Sequence, residues 1–510
     1  MVKDEVFLNK ALKFLPDLIE EKVEVLQTVR VGKTSAGDIS ILKDQQYNER
    51  ELKKGDKICL DFGDHQVGYV SLSFRSVGSH ADAPVWLKLH FAENPVELFE
   101  RADEYQGWIC SSWIEEEQIH VDVIPSEIRL ERRYAFRFVE IEVLDISSKF
   151  NLVIENVTCT AVSSADENNL KVYQTDNPKH KKLDKIACRT LHNCMQRVFE
   201  DGPKRDRRLW MGDLRLQALA NYETYRNNDL VKACLYLFAS LPMEDGRIGA
   251  CIFLDPVPEV DDTVMFDYSL MYVPTLLDYY QATGDRTTLE ELWPTALSQI
   301  YIAENNLNDQ GVVKDSDMLG WCFVDWNLDL NKQASAQGIF LYAIKAAIHI
   351  AEILEQDSEV ERLESLYKSC LEAANTFLWD DEQEVYISGE MRQLSYASQV
   401  WMILGGAVRN GEAADLLMRI EKMQDVLEMV TPYMYHNYID ALIECGEEEL
   451  ACEKMEIYWG GMADQGADTF WELYNPRNPN ESPYGGTTVN SYCHAWSCAP
   501  AYFLRKYFDL

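Results

Sequence analysis

The chain has 510 residues, of which 47% are hydrophobic and 26% charged, the balance of an ordinary globular protein rather than a disordered or fibrous one. Its 48 basic residues against 85 acidic ones give a net charge of −37. Such a surface repels phosphate backbones and anionic bilayers, so neither nucleic acid nor a membrane is expected as a partner.

The first 25 or so residues read as helical. From there to about residue 165 the hydrophobic pattern has period two. In Val85-Trp86-Leu87-Lys88-Leu89-His90-Phe91, residues 85, 87, 89 and 91 share one face. Ile58 to Phe62, Tyr69 to Phe74, Phe136 to Val143 and Leu152 to Val162 read as further strands. Turn signals such as Phe62-Gly63-Asp64 and Glu93-Asn94-Pro95 separate them. Short alternating strands at this spacing predict an antiparallel β-sandwich over residues 1–165.

Beyond residue 165 the period becomes helical. Phe340, Ile344, Ala347, Ala351 and Leu354 fall on one stripe, and Leu363, Tyr367, Cys370, Ala374 and Phe377 on another. Further helices fit residues 179–197, 212–226, 229–240, 265–283, 288–304, 396–408, 411–423, 434–445 and 447–458. Short Gly-, Asp- or Asn-bearing connections, such as Thr283-Gly284-Asp285, make consecutive helices antiparallel neighbours. A dozen helices in hairpins can close into an (α/α)6 barrel over residues 166–510; a bundle or solenoid has a similar count, but no fixed-period repeat is visible.

Thirteen cysteines, an odd number without metal-like spacing, suit free thiols in a reducing compartment. The N-terminal stretch carries acids among its apolar residues, unlike a signal peptide, and no run approaches about 18 consecutive apolar residues. A cytoplasmic location is expected. A homo-oligomer is compatible with everything above.

The densest polar cluster runs from Glu200 to Asp213, EDGPKRDRRLWMGD, between two helical segments. Carboxylates beside arginines there can hold hydroxyl-rich ligands by charge-assisted hydrogen bonds; a solvated loop with surface ion pairs reads equally well. A second cluster holds Trp471-Glu472 and, further on, Asn490-Ser491-Tyr492-Cys493-His494. A glutamate among aromatics is partly desolvated, which moves a carboxyl toward the range of proton transfer; core aromatics with a capping Glu are the plainer account. Asp261-Asp262 with Asp267, and Trp321 with Asp325-Trp326, are lesser groups. No spacing of a nucleophile elbow, a phosphate-binding loop or a metal site is present, and no cofactor or metal is expected.

Taken together and in this order, DGPKRDRRLWMGD (Asp201 to Asp213), GADTFWE (ending at Glu472) and NSYCH (ending at His494) resemble the motifs of the bacterial α-L-rhamnosidases of glycoside hydrolase family 78. The family's first motif runs Asp-Cys-Pro-x-Arg-Asp-Glu-Arg-Leu-Gly-Trp-x-Gly-Asp. LDFGDHQVGYVSLSF, LHFAENP and RRYAFRFVEIEV resemble the β-sandwich that precedes the family's barrel, so the likeness spans nearly the whole chain. It implies an inverting glycosidase acting on terminal α-L-rhamnosyl residues of a small carbohydrate substrate. Glu472 would be the general base. Asp201, Arg205, Arg207, Trp210, Asp213, Asp267, Trp326, Trp471 and His494 would contact the sugar. The family's general acid is the Glu of the Arg-Asp-Glu-Arg run, where this chain has Arg207; the run is also one residue shorter before its Trp. An arginine cannot donate the proton. Asp206 is the expected acid, with Glu200, Asp213, Asp261 and Asp262 as other candidates. Arg207 leaves open a glycosidase for an acidic sugar, or a sugar-binding relative without catalysis. Only sixteen residues follow His494, so a two-domain form is expected.

Overall fold

The protein is described by a computed structural model covering residues 3–34, 39–315, 321–408 and 410–508. Nine antiparallel strands form the N-terminal domain: β1 (Ile19–Glu24), β2 (Gln27–Lys33), β3 (Ile39–Lys43), β4 (Lys57–Val77), β5 (Val85–Ala92), β6 (Glu116–Val121), β7 (Ser126–Arg129), β8 (Tyr134–Asp145) and β9 (Asn151–Ser163). The 21-residue β4 changes partners along its length. Residues 57–61 lie between β2 and β8, and residues 68–77 pair with β9, with β7 on the other side. The register breaks between Asp61 and Gln66. There Gly63 takes φ 89°, and its N–H donates to Asp61 Oδ1 at 2.8 Å. The expected turn at Phe62-Gly63-Asp64 is therefore a bend inside one strand: glycine's access to the left-handed region turns the backbone without ending the ladder. Ile58 and Leu60 from the first half of β4, Val70, Leu72 and Phe74 from the second, and Leu87, Leu89 and Phe91 from β5 bury into one core. Each such side chain contributes about 1.5–3 kcal/mol over leaving it in water.

The N-terminal helix is shorter than its sequence suggests. Helix α1 (Glu5–Phe14) is capped by Asp4, whose carboxylate accepts from Val6 and Phe7 N–H, and residues 19–24 are strand. The alternation that matters there is the pairing of β1 with β9. Although it precedes the sandwich, α1 packs on the helical domain, with Phe7 edge-on to Tyr236.

Twelve α-helices follow among the described residues. α3 (Met211–Glu223), α5 (Phe266–Thr283), α7 (Gln333–Ile353), α9 (Tyr396–Leu404) and α11 (Pro432–Glu444) contact one another in that order, His436 of α11 packs on Phe503 of α13 (Ala499–Phe503), and α13 returns to α3. Outside them lie α2 (Pro178–Cys194), α4 (Asn228–Ser240), α6 (Arg286–Glu304), α8 (Asp357–Phe377), α10 (Asn410–Ile420) and α12 (Glu448–Asp464), with α12 packed on α2. This is the (α/α)6 arrangement. The inner α7 is long and apolar enough by composition to cross a membrane, but its surface is mostly buried between its barrel neighbours. The sequence pattern missed α13, five residues opened by Ala499-Pro500 and continued by a π-turn over Leu504–Phe508.

Candidate active site

The N-terminal ends of inner helices α3 and α5 open toward one end of the barrel, where the long connections gather. The connection from α2 to α3 carries the charged cluster. It closes on itself through Asp201 N–H to Arg208 O and Arg208 N–H to Asp201 Oδ1, both 3.0 Å. A Cβ on Gly202 would stand 2.7 Å from Ser491 Oγ, so this loop and the 490–494 segment approach at a distance only glycine permits. Asp206 and Arg207 both have positive φ, 64° and 55°. Two successive left-handed non-glycine residues cost about 1–2 kcal/mol each and need outside support.

The sandwich supplies it. Lys204, buried, bonds Glu97 and donates to Asn490 O at 3.1 Å. Arg207 donates to buried Glu115 at 2.7 Å and to Arg133 O at 3.0 Å. Glu93 accepts from Tyr492 N–H at 2.6 Å and pairs with His65 at 2.8 Å. The loop is thus pinned from the side away from the barrel, leaving Arg205 and Asp206 directed at the barrel mouth.

Glu472 arrives from the opposite side. Its backbone N–H donates to Ser491 O at 3.0 Å, and its carbonyl accepts from Trp496 Nε1 at 2.9 Å. Its carboxylate bonds the Arg205 guanidinium through one oxygen and the Tyr484 hydroxyl through the other. Arg205 also donates to Val489 O at 3.1 Å, lies 4.2 Å from the Tyr484 ring centre, and has Asp206 Oδ1 at 3.5 Å from Nη1. One guanidinium therefore stands between the two carboxylates. Burial works against its charge, but Glu472 and Asp206 keep it protonated. His494 Nε2 lies 3.7 Å from Asp201 and Nδ1 3.6 Å from Asp213. Burial, then the Arg205 charge, push the imidazole well below its usual value, so it is neutral. Burial raises Asp201, with Asp206 and Asp213 adding repulsion, and burial followed by Glu472 raises Asp213.

These groups line a cavity of about 460 Å³ shared by Trp210, Tyr268, Phe323, Trp326 and Trp496. Asp213 Oδ1, His494 Nδ1, Trp210 Nε1, Trp326 Nε1 and Arg208 Nε have no hydrogen-bond partner among the described residues. Buried donors and acceptors left unmatched around an aromatic-walled cavity suit a ring bearing several hydroxyls.

A family model described as the glycosyl hydrolase family 78 α-rhamnosidase N-terminal domain matches residues 22–161, and one for the bacterial α-L-rhamnosidase six-hairpin glycosidase domain matches residues 169–508. The chain belongs to glycoside hydrolase family 78. A rhamnosidase from Klebsiella oxytoca, solved with rhamnose bound, is 42% identical over 99% of both chains, with a TM-score of 0.96. The family 78 rhamnosidase of Bacillus sp. GL1 shares the fold at 20% identity and a TM-score of 0.76, over 88% of this chain and 46% of its own. Among curated proteins, the N,N'-diacetylchitobiose phosphorylase of Vibrio furnissii is 26% identical over 150 residues, 26% of this chain and 18% of that one. The chain thus spans less than a fifth of that relative's length.

Of the residues the family resemblance nominates, Asp201, Arg205, Asp206, Trp210, Asp213, Trp326, Glu472 and His494 line the cavity. Arg207 does not: the left-handed turn at 206–207 sends adjacent side chains apart, and its guanidinium is spent on Glu115. Counting back from Trp210 rather than forward from Asp201 puts the family's glutamate on Asp206, because the missing residue falls between them. Asp267 is fully buried at the start of α5, where its carboxylate accepts from Phe323 and Val324 N–H at 2.8–3.1 Å and fixes the loop that carries Trp326. Trp471 points away from the cavity, edge-on to Tyr474 and Tyr492. Sequence reasoning did not nominate Trp108, Ile109 or Tyr484, and it gave no role to Arg208, Tyr268 or Trp496 within the clusters it singled out; all six line the cavity. Trp108 and Ile109 come from the sandwich, where a helical-barrel pattern gives no signal; the Gly485-Gly486 pair beside Tyr484 marks a tight loop that could have been read. Among the described residues, His180, Cys452 and Glu456 form the one cluster with the donors of a metal site. It joins outer helices α2 and α12, and Glu456 there already pairs with His180 and Lys179.

Proposed function

We propose that this glycoside hydrolase is an α-L-rhamnosidase that releases terminal α-L-rhamnosyl residues from small glycosides with inversion at the anomeric carbon. Glu472 takes the proton of the attacking water, and Asp206 protonates the departing oxygen. An inverting pair needs about 6.5–9.5 Å between carboxyl groups to admit the water. The observation that carries the reading is the guanidinium of Arg205 held between these two carboxylates, with Tyr484 fixing the far oxygen of Glu472. Asp201, Asp213 and neutral His494 then serve as hydroxyl partners for the glycone. The 42% identity to a protein solved with rhamnose favours this sugar. An acidic glycone loses its main support, since Arg207 is committed to Glu115 outside the cavity. Thirteen cysteines with no disulfide among the described residues favour a reducing, cytoplasmic setting and an imported substrate.

Proton NMR of the first product of 4-nitrophenyl α-L-rhamnoside hydrolysis tests this. β-L-rhamnose appearing before mutarotation is expected. An α-anomer would overturn inversion, and no hydrolysis would overturn the activity.

A further inference from the structure

The cavity has two unlike zones. Its floor is polar, built by Asp201, Arg205, Asp213 and His494 from the barrel and its loops. Its mouth is aromatic, and one wall of that mouth belongs to the sandwich. Trp108 and Trp321 line it while 69% and 46% exposed, two of the large hydrophobic side chains the protein leaves in water.

Trp108 is held rather than loose. Its Nε1 donates to Pro483 O at 2.8 Å, and Tyr105 OH donates to Tyr484 O at 2.7 Å. A Cβ on Gly107 would stand 1.9 Å from Tyr484 O, so the loop carrying Trp108 lies directly on the loop carrying Tyr484. Glu100 fastens the same pair of loops, accepting from Thr487 and Thr488 N–H at 2.7 and 3.1 Å. An indole fixed by its nitrogen while its ring stays solvent-exposed keeps its face for a ligand. Around the same mouth, Trp326 stands 6.0 Å from Tyr484 and Trp321 6.2 Å from Trp326, whose own nitrogen has no partner among the described residues, while Lys332 Nζ lies 4.9 Å from the Trp321 ring centre.

We infer that Trp108, at a mouth it shares with Trp321, forms a platform for the leaving group, so that the N-terminal domain sets which glycosides are accepted. The group it takes presents a flat apolar face, either an aromatic ring or the C–H face of a second sugar. Charge does not narrow it further, because Asp261 and Arg208 line the same cavity. This rests on the proposed hydrolysis of rhamnosides.

The test compares the wild type, Trp108→Ala and Trp108→Phe on methyl α-L-rhamnoside, 4-nitrophenyl α-L-rhamnoside and a rhamnosyl-glucose disaccharide, with free L-rhamnose as inhibitor. Trp108→Ala is expected to raise KM about tenfold for substrates with a ring in the leaving group, and Trp108→Phe to restore most of it. KM for the methyl glycoside and Ki for L-rhamnose should stay within about twofold. A penalty on the aryl substrate alone identifies an aromatic leaving group, and a penalty on both identifies any ring face. The inference is overturned if all constants, including Ki for L-rhamnose, worsen together, since Trp108 would then only brace Tyr484. It is equally overturned if none changes. Calorimetry of the same ligands on a Glu472→Gln background reads binding without turnover. A wild type that hydrolyses no rhamnoside would therefore count against the proposed activity, while the affinities would still decide the platform.

Discussion

Arg207 separates what the motif suggests from what the backbone does. Replacing it with Met keeps the length of the stem and removes the cation from Glu115. That glutamate is buried, and its other oxygen accepts from Ala135 N–H at 2.9 Å. Burial, against the pull of Arg207, already raises its carboxyl to about 7. Stranding a buried charge costs about 3–5 kcal/mol when it cannot escape. At pH 8 the Glu115 carboxyl is largely ionised beside Arg207, so the loss should be about 3 kcal/mol. At pH 6 it is largely protonated, and the loss should fall to about 1 kcal/mol, the net worth of a hydrogen bond. Thermal unfolding of Arg207→Met at the two pH values reads this difference, and Ki for free L-rhamnose should stay within roughly threefold, as for a side chain outside the cavity. Arg207→Glu should destabilise further, two carboxylates then facing each other, without adding activity. The reasoning fails if Arg207→Met keeps the wild-type melting temperature at pH 8 while Ki rises tenfold or more.

Tyr484→Phe removes one of the two groups holding the Glu472 carboxylate, and kcat should drop about tenfold with Ki for L-rhamnose little changed. Gly107→Ala should cost activity on every substrate, because the added methyl meets Tyr484 O and forces the two mouth loops apart; unchanged kinetics would contradict that close approach. Glu93 and Glu115 are pushed to about 7, and Glu97 to about 8, in each case chiefly by burial. From the usual 4.5 up to about 8 the folded protein therefore holds protons the unfolded chain has released, so these groups make stability fall as pH rises across that window and level off above it. Melting temperatures should decline between pH 6 and 8.5, and a rise would contradict the assignment.

The switch from period two to period 3.6 near residue 165 is legible because each domain buries one face of each element, and that face dictates the repeat. Chain order also made the motif pair readable: Asp201 to Asp213 and Glu472 do meet at one cavity. Hydrophobic pattern could not show that Gly63 bends a strand rather than ending it, since either outcome uses the same residue. Nor could it show that Asp206 and Arg207 diverge, because side-chain direction there depends on two left-handed residues stabilised by Lys204 and Arg207 contacts more than 70 residues away in sequence. Trp108 was hidden for a related reason: it acts on a cavity built by the other domain.

The roles given to Asp206 and Glu472 are tested most directly by leaving-group dependence. Asp206→Asn and Glu472→Gln should each be assayed on 2,4-dinitrophenyl and methyl α-L-rhamnosides. Asp206→Asn should lose about 10²–10⁴-fold on the methyl glycoside yet keep much of its rate on the dinitrophenyl one, whose departing oxygen needs no proton, while Glu472→Gln should lose comparably on both. An Asp206→Asn enzyme with wild-type turnover of the methyl glycoside, or a Glu472→Gln enzyme active on either, would contradict the assignment.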